Sequence, residues 1–74
     1  MNSASPPEIL TVLVAARNEA QSLPALHPRI AAVLKRLDGV QGRVLYVDDG
    51  STDRTWEIMQ GLARKDAKVS LLRL

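Results

Sequence analysis

Arg43-Val44-Leu45-Tyr46-Val47-Asp48-Asp49-Gly50-Ser51-Thr52-Asp53 decides the fold. Its first five residues are mostly apolar, β-branched or aromatic, which is the composition of a strand. Asp48 to Ser51 then break the run with turn-forming residues. From Thr52 the apolar spacing changes to threes and fours. Trp56, Met59, Leu62 and Ala63 fall on one face, which predicts a helix over residues 52–65. Ser51 or Thr52 is its expected cap. Asp53 suits its first turn, and Arg64 and Lys65 suit its last. Trp56 is expected in the core.

The same alternation extends outward in both directions. Upstream, residues 9–15 (ILTVLVA) form a nearly continuous apolar run, as in a parallel strand buried on both faces. Arg17-Asn18-Glu19 interrupts it. Leu23, Leu26, Ile30, Val33, Leu34 and Leu37 then recur at helical steps. Ser22 is the expected N-cap, and Pro24 is tolerated in the first turn. Pro28 requires the helix to start near His27 or to kink there. Asp38-Gly39 should end it, with Gly39 as a left-handed cap. His27 is expected on the helix surface. Downstream, residues 69–72 make a third strand. Residues 1–8, with Pro6-Pro7, read as a flexible leader before the domain at 9–74.

The order is β-α-β-α-β, which implies an α/β fold with a three-stranded parallel sheet. The expected strand order is 3-2-1, a partial Rossmann-like arrangement with helices covering the faces. The first strand is left with a free edge, and such an edge invites pairing with another chain. That edge, and a chain closing on a strand, are expected of the N-terminal part of a larger domain.

Composition narrows the chemistry. A chain of 74 residues holds at most one domain and buries only about 60% of its unfolded surface. The formal net charge of +2 and the two aromatic residues give no basis for nucleic-acid binding. Cysteine is absent, so there is no disulfide, thiolate metal site or cysteine nucleophile. This fits a cytoplasmic protein. No apolar run is long enough for a membrane span, and residues 1–7 do not resemble a signal peptide. Neither G-x-G-x-x-G, G-x-x-x-x-G-K nor G-x-S-x-G occurs.

Two loops carry the candidate chemistry. In open α/β sheets, ligands bind at the carboxyl ends of the strands. Asp48-Asp49-Gly50-Ser51 follows the second strand there, beside a helix N-terminus. Ala15-Ala16-Arg17-Asn18-Glu19 follows the neighbouring first strand. A carboxylate in this crevice can accept from a nucleobase N–H or a ribose hydroxyl. Arg17 can meet a phosphate or stack on a base. The plainer alternatives are turn and cap residues for Asp48, Asp49 and Asp53, an N-terminal helix charge for Glu19, and a solvated arginine.

Together, Ala16-Arg17-Asn18-Glu19 and Val47-Asp48-Asp49-Gly50-Ser51-Thr52-Asp53 resemble family 2 glycosyltransferases of the GT-A fold. The likeness is strongest to the dolichol- and polyprenyl-phosphate mannosyl- and glucosyltransferases. It covers residues 9–74. It implies a nucleotide-sugar site in which Asp49 hydrogen-bonds the base and Glu19 helps form the pocket. Ala15, Arg17 and Asp48 join that nucleotide-binding set, and Asn18, Gly50 and Ser51 shape the loops. The family loop reads P-x-Y-N-E. Here Ala15 replaces the proline and Arg17 the aromatic.

The resemblance implies a donor of the GDP-mannose or UDP-glucose type and an acceptor such as a polyprenyl phosphate. It also implies Mg²⁺ or Mn²⁺, held by a D-x-D motif that these residues do not contain. No catalytic or metal-ligating residue is assigned, and the chain alone is expected not to transfer sugar. Two other readings stand beside this one. One is a non-catalytic module forming a homodimer through the free edge of the first strand. The other is a small regulatory domain using its acidic loop for Mg²⁺ or phosphoryl chemistry.

Overall fold

The computed structural model describes residues 8–74, so residues 1–7 of the expected 1–8 leader lie outside the described residues. Five elements follow in order: β1 (Glu8–Ala16), α1 (Leu23–Lys35), β2 (Val40–Asp48), α2 (Thr55–Lys65) and β3 (Val69–Arg73). Glu8 is therefore the first residue of a strand and not part of a leader. The three strands are parallel in the order β1-β2-β3, and the fold is α/β.

Register explains the packing. Val12, Val44 and Val69 lie side by side, as do Val14, Tyr46 and Leu71. Both rows face the helices. With Leu23 and Leu34 of α1 and Met59 of α2 they form one apolar cluster. Each crossover steps one strand in the same direction, so right-handed connections place both helices on the same face. The other face stays open: Ile9 is 61% and Leu13 is 63% exposed. The expectations of a first strand buried on both faces, and of helices covering both, are corrected accordingly. Trp56 packs at the edge of the cluster and is only half-buried.

The helix ends also differ from the expected ones. α1 begins at Leu23 and runs through Pro28 to Lys35. Pro28 has no N–H to give the Pro24 carbonyl, so the helix continues through it with that one bond missing. Ser22 is helical in φ and ψ and makes no side-chain cap. Its hydroxyl turns instead to Glu19 Oε2, at 2.6 Å. Gly39 does take a left-handed φ of 72°, but three residues after the Arg36 cap, where its carbonyl accepts from the Glu8 N–H. α2 starts at Thr55, three residues later than Thr52.

His27 is buried, contrary to the surface position expected of it. Tyr46, fully buried on β2, donates its hydroxyl to His27 Nδ1 at 2.7 Å. His27 Nε2 lies 3.2 Å from Asp66 Oδ2, in the turn between α2 and β3. The network fits the tautomer with hydrogen on Nε2. It ties α1, β2 and the end of α2 together. Burial, followed by the Asp66 charge, raises the Tyr46 pKa above 10.0. The Lys68 backbone N–H, with His27 adding, holds Asp66 below the usual carboxylate value despite opposing burial.

Candidate functional site

The carboxyl edge of the sheet brings the two loops together. β1 ends at Ala16 and β2 at Asp48, and these residues are partners in register. The next amide, Asp49 N–H, donates to the Ala16 carbonyl at 3.0 Å. The Asp49 and Arg17 backbones therefore start from one hydrogen-bonded point, and both residues are exposed.

Asp48 and Asp49 have opposite environments. Asp48 is fully buried, and its Oδ1 accepts the Ser51 N–H at 3.1 Å. That bond closes the turn in which Gly50 takes a φ of 74°. A Cβ at Gly50 would meet nothing within 4 Å, so the backbone angle and not space selects glycine. Asp48 Oδ2 is buried without a hydrogen-bond partner and lies 3.8 Å from Arg73 Nε. The Arg73 guanidinium also sits 5.1 Å from the centre of the Trp56 ring. Asp48 is thus inside the fold, and Asp49 is exposed at the carboxyl edge of the sheet.

The loop after β1 is fastened to the start of α2. Asn18 has a left-handed φ of 54°, a conformation that asparagine tolerates better than most residues. Its N–H donates to Ser51 Oγ at 2.9 Å. Its side-chain oxygen accepts the Thr52 N–H at 2.8 Å and the Asp53 N–H at 3.3 Å. Glu19 N–H donates to Thr55 Oγ1 at 2.9 Å, and Ala20 N–H to Asp53 Oδ2 at 3.3 Å. Asp53 Oδ1 accepts from the Thr55 hydroxyl and from the Thr55 N–H. The Thr55 hydroxyl bond, with the Thr55 and Ala20 backbone bonds adding, lowers the Asp53 pKa below 3.8.

Two clefts adjoin this frame. One of about 590 Å³ lies between residues 18–22 and the Asp53, Arg54 and Ile58 side of α2. A smaller one of about 210 Å³ includes Ala15, Arg17 and Glu19. Glu19 lines both. Asp48 and Asp49 line neither, so the five nucleotide-site candidates share an edge of the sheet without sharing one enclosed cavity. Asp53 and Thr55 were not among the candidates. The D-x-T spacing of Asp53 and Thr55 was the available signal, because such residues bond backbone two positions away.

The divalent ion implied by the resemblance finds no fitting donor set among the described residues. No three of them group carboxylates or imidazoles closely enough to hold a metal. Asp48 Oδ1 is committed to Ser51, and the guanidinium beside Oδ2 would repel a cation.

Comparison with known proteins agrees with this architecture. The sequence model described as Glycosyl transferase family 2 matches residues 11–74. The undecaprenyl-phosphate 4-deoxy-4-formamido-L-arabinose transferase of Pseudomonas paraeruginosa (strain DSM 24068 / PA7) is 38% identical over 61 residues. That alignment covers 82% of this chain and 18% of the relative. The protein of the same name from Pseudomonas savastanoi pv. phaseolicola (strain 1448A / Race 6) is 37% identical over 62 residues. There the coverage is 84% of this chain and 18% of the relative. The chain thus spans under a fifth of the length of these curated relatives. With a family match over residues 11–74 and a parallel β-α-β-α-β order, the chain belongs to glycosyl transferase family 2.

Proposed function

We propose that this chain forms the nucleotide-binding edge of a glycosyltransferase that moves a hexose from a nucleoside diphosphate sugar to a polyprenyl phosphate. The carrying observation is the exposed Asp49 carboxylate, held beside the Arg17-Asn18-Glu19 loop by the Asp49–Ala16 backbone bond. Asp49 accepts from the base, Glu19 closes the pocket, and Arg17 takes the place of the family aromatic by stacking on the base. A GDP-mannose or UDP-glucose type donor fits this reading. So does a polyprenyl-phosphate acceptor, which the relatives' names support. The cytoplasmic location expected from the sequence goes with it. No helix among the described residues is long and apolar enough to cross a membrane.

Calorimetric titration of the chain with UDP and GDP tests the reading. Saturable binding of one nucleotide, abolished by Asp49→Ala, is expected. Equal binding by both proteins contradicts it. Mg²⁺ or Mn²⁺ acts, in this reading, through ligands other than these residues. The 74-residue chain alone then transfers no sugar, and turnover by pure protein would count against that.

The free edge of β1 favours a second, compatible property. Ile9, Leu10 and Leu13 are exposed on it, and within Glu8–Ala16 no proline or lysine interrupts the strand to deter pairing. An antiparallel pair of β1 strands about a two-fold axis at Val12 would set Glu8 against Ala16 of the second copy, next to its Arg17. We infer a homodimer with one six-stranded sheet. Sedimentation should show it, and a monomer at all concentrations would refute it.

A further inference from the structure

We propose that Thr55 and Asp53 are positioning residues: they clamp the loop after β1 to the start of α2 and so hold Glu19 at the crevice before a nucleotide arrives. The inference rests on the nucleotide reading of this site. Its physical basis is the fate of three successive amides. Asn18, Glu19 and Ala20 donate their N–H groups to Ser51 Oγ, Thr55 Oγ1 and Asp53 Oδ2. Each acceptor is a side chain from beyond β2. The loop's shape is therefore imposed from outside it.

Thr55 is the pivot. It is fully buried, so its hydroxyl needs partners. It has two: it donates to Asp53 Oδ1 and accepts the Glu19 N–H. A threonine hydroxyl does both, and the equally shaped valine does neither. Asn18 completes the clamp in the opposite direction, accepting the Thr52 and Asp53 amides. Neither Asp53 nor Thr55 need touch the nucleotide. By fixing the loop in advance they reduce the ordering cost that binding would otherwise carry.

The test compares Thr55→Val, Thr55→Ser and Asp53→Asn in the full chain, using amide exchange and nucleotide titration. Thr55→Val keeps the shape and removes both hydroxyl bonds. It should speed exchange at residues 18–20 and raise the Kd for the nucleotide that binds by about tenfold. Thr55→Ser should restore both to within about twofold of the parent. If Thr55→Val fails to fold, the exposed Asp53→Asn variant, which weakens the Ala20 tie, should still speed exchange at Ala20. Unchanged exchange at residues 18–20 overturns the clamp. Faster exchange with an unchanged Kd overturns the positioning role. A parent chain that takes no nucleotide defeats the functional reading alone, and the clamp is then decided by exchange.

Discussion

Thr52 donates its backbone N–H to the side-chain oxygen of Asn18 at 2.8 Å, joining residues 34 positions apart. The bond links the loops after β1 and β2, alongside the Asp49–Ala16, Asn18–Ser51 and Ala20–Asp53 bonds at the same edge. Its donor and acceptor lie at the point where the family motifs meet.

Asn18→Ala should destabilise the fold by about 1–2 kcal/mol. It loses the Thr52 and Asp53 bonds and strains a left-handed φ. Asn18→Gly loses the same bonds without the strain and should cost less. Urea unfolding of both variants checks the order, and an equal loss would remove backbone strain from the explanation.

Acid should loosen the same loops. The folded pKa of Asp53 is lowered below 3.8, chiefly by the Thr55 hydroxyl bond. A depressed carboxylate stabilises the fold above its unfolded pKa and loses that contribution as pH falls through the folded value. The stability gap between the parent and Asp53→Asn should therefore be present at neutral pH and shrink below pH 3.8. Unfolding curves across that range measure it. A gap that widens on acidification would reverse the sign.

His27→Ala should cost about 2–4 kcal/mol, because it leaves a buried cavity and an unpaired Tyr46 hydroxyl. Tyr46→Phe should cost about 1 kcal/mol, since it removes one hydrogen bond and keeps the ring. A double-mutant cycle should show coupling between the two, and strict additivity would argue against the bond.

Gly42→Ala tests how closely α1 lies on β2. An added Cβ would come within 2.9 Å of the Leu34 Cβ, which has no freedom to swing away. A loss of about 1–3 kcal/mol is expected from this overpacking. A neutral result would mean that the helix sits farther from the strand.

These features were unevenly legible in the sequence. The strands, their order and both loops could be read because Val44, Tyr46 and their neighbours repeat a local pattern that the parallel sheet enforces. The single helical face could not be read from periodicity. It follows from two crossovers stepping in the same direction, and the apolar Leu13 row disguised it. His27 looked like a surface residue because its partners, Tyr46 and Asp66, lie 19 and 39 positions away. Ser22 carried a capping identity, but Glu19 competes for its hydroxyl. Asp48 and Asp49 are alike in sequence and differ only through burial, which the pleat of β2 decides.

The most direct test of the central claim is an amide-resolved NMR titration of the chain with UDP, GDP and their glucose and mannose derivatives. The account predicts saturable shifts at residues 15–19 and 48–51 for one base, lost in Asp49→Ala. A folded sample showing no shifts in either loop up to millimolar ligand would contradict it.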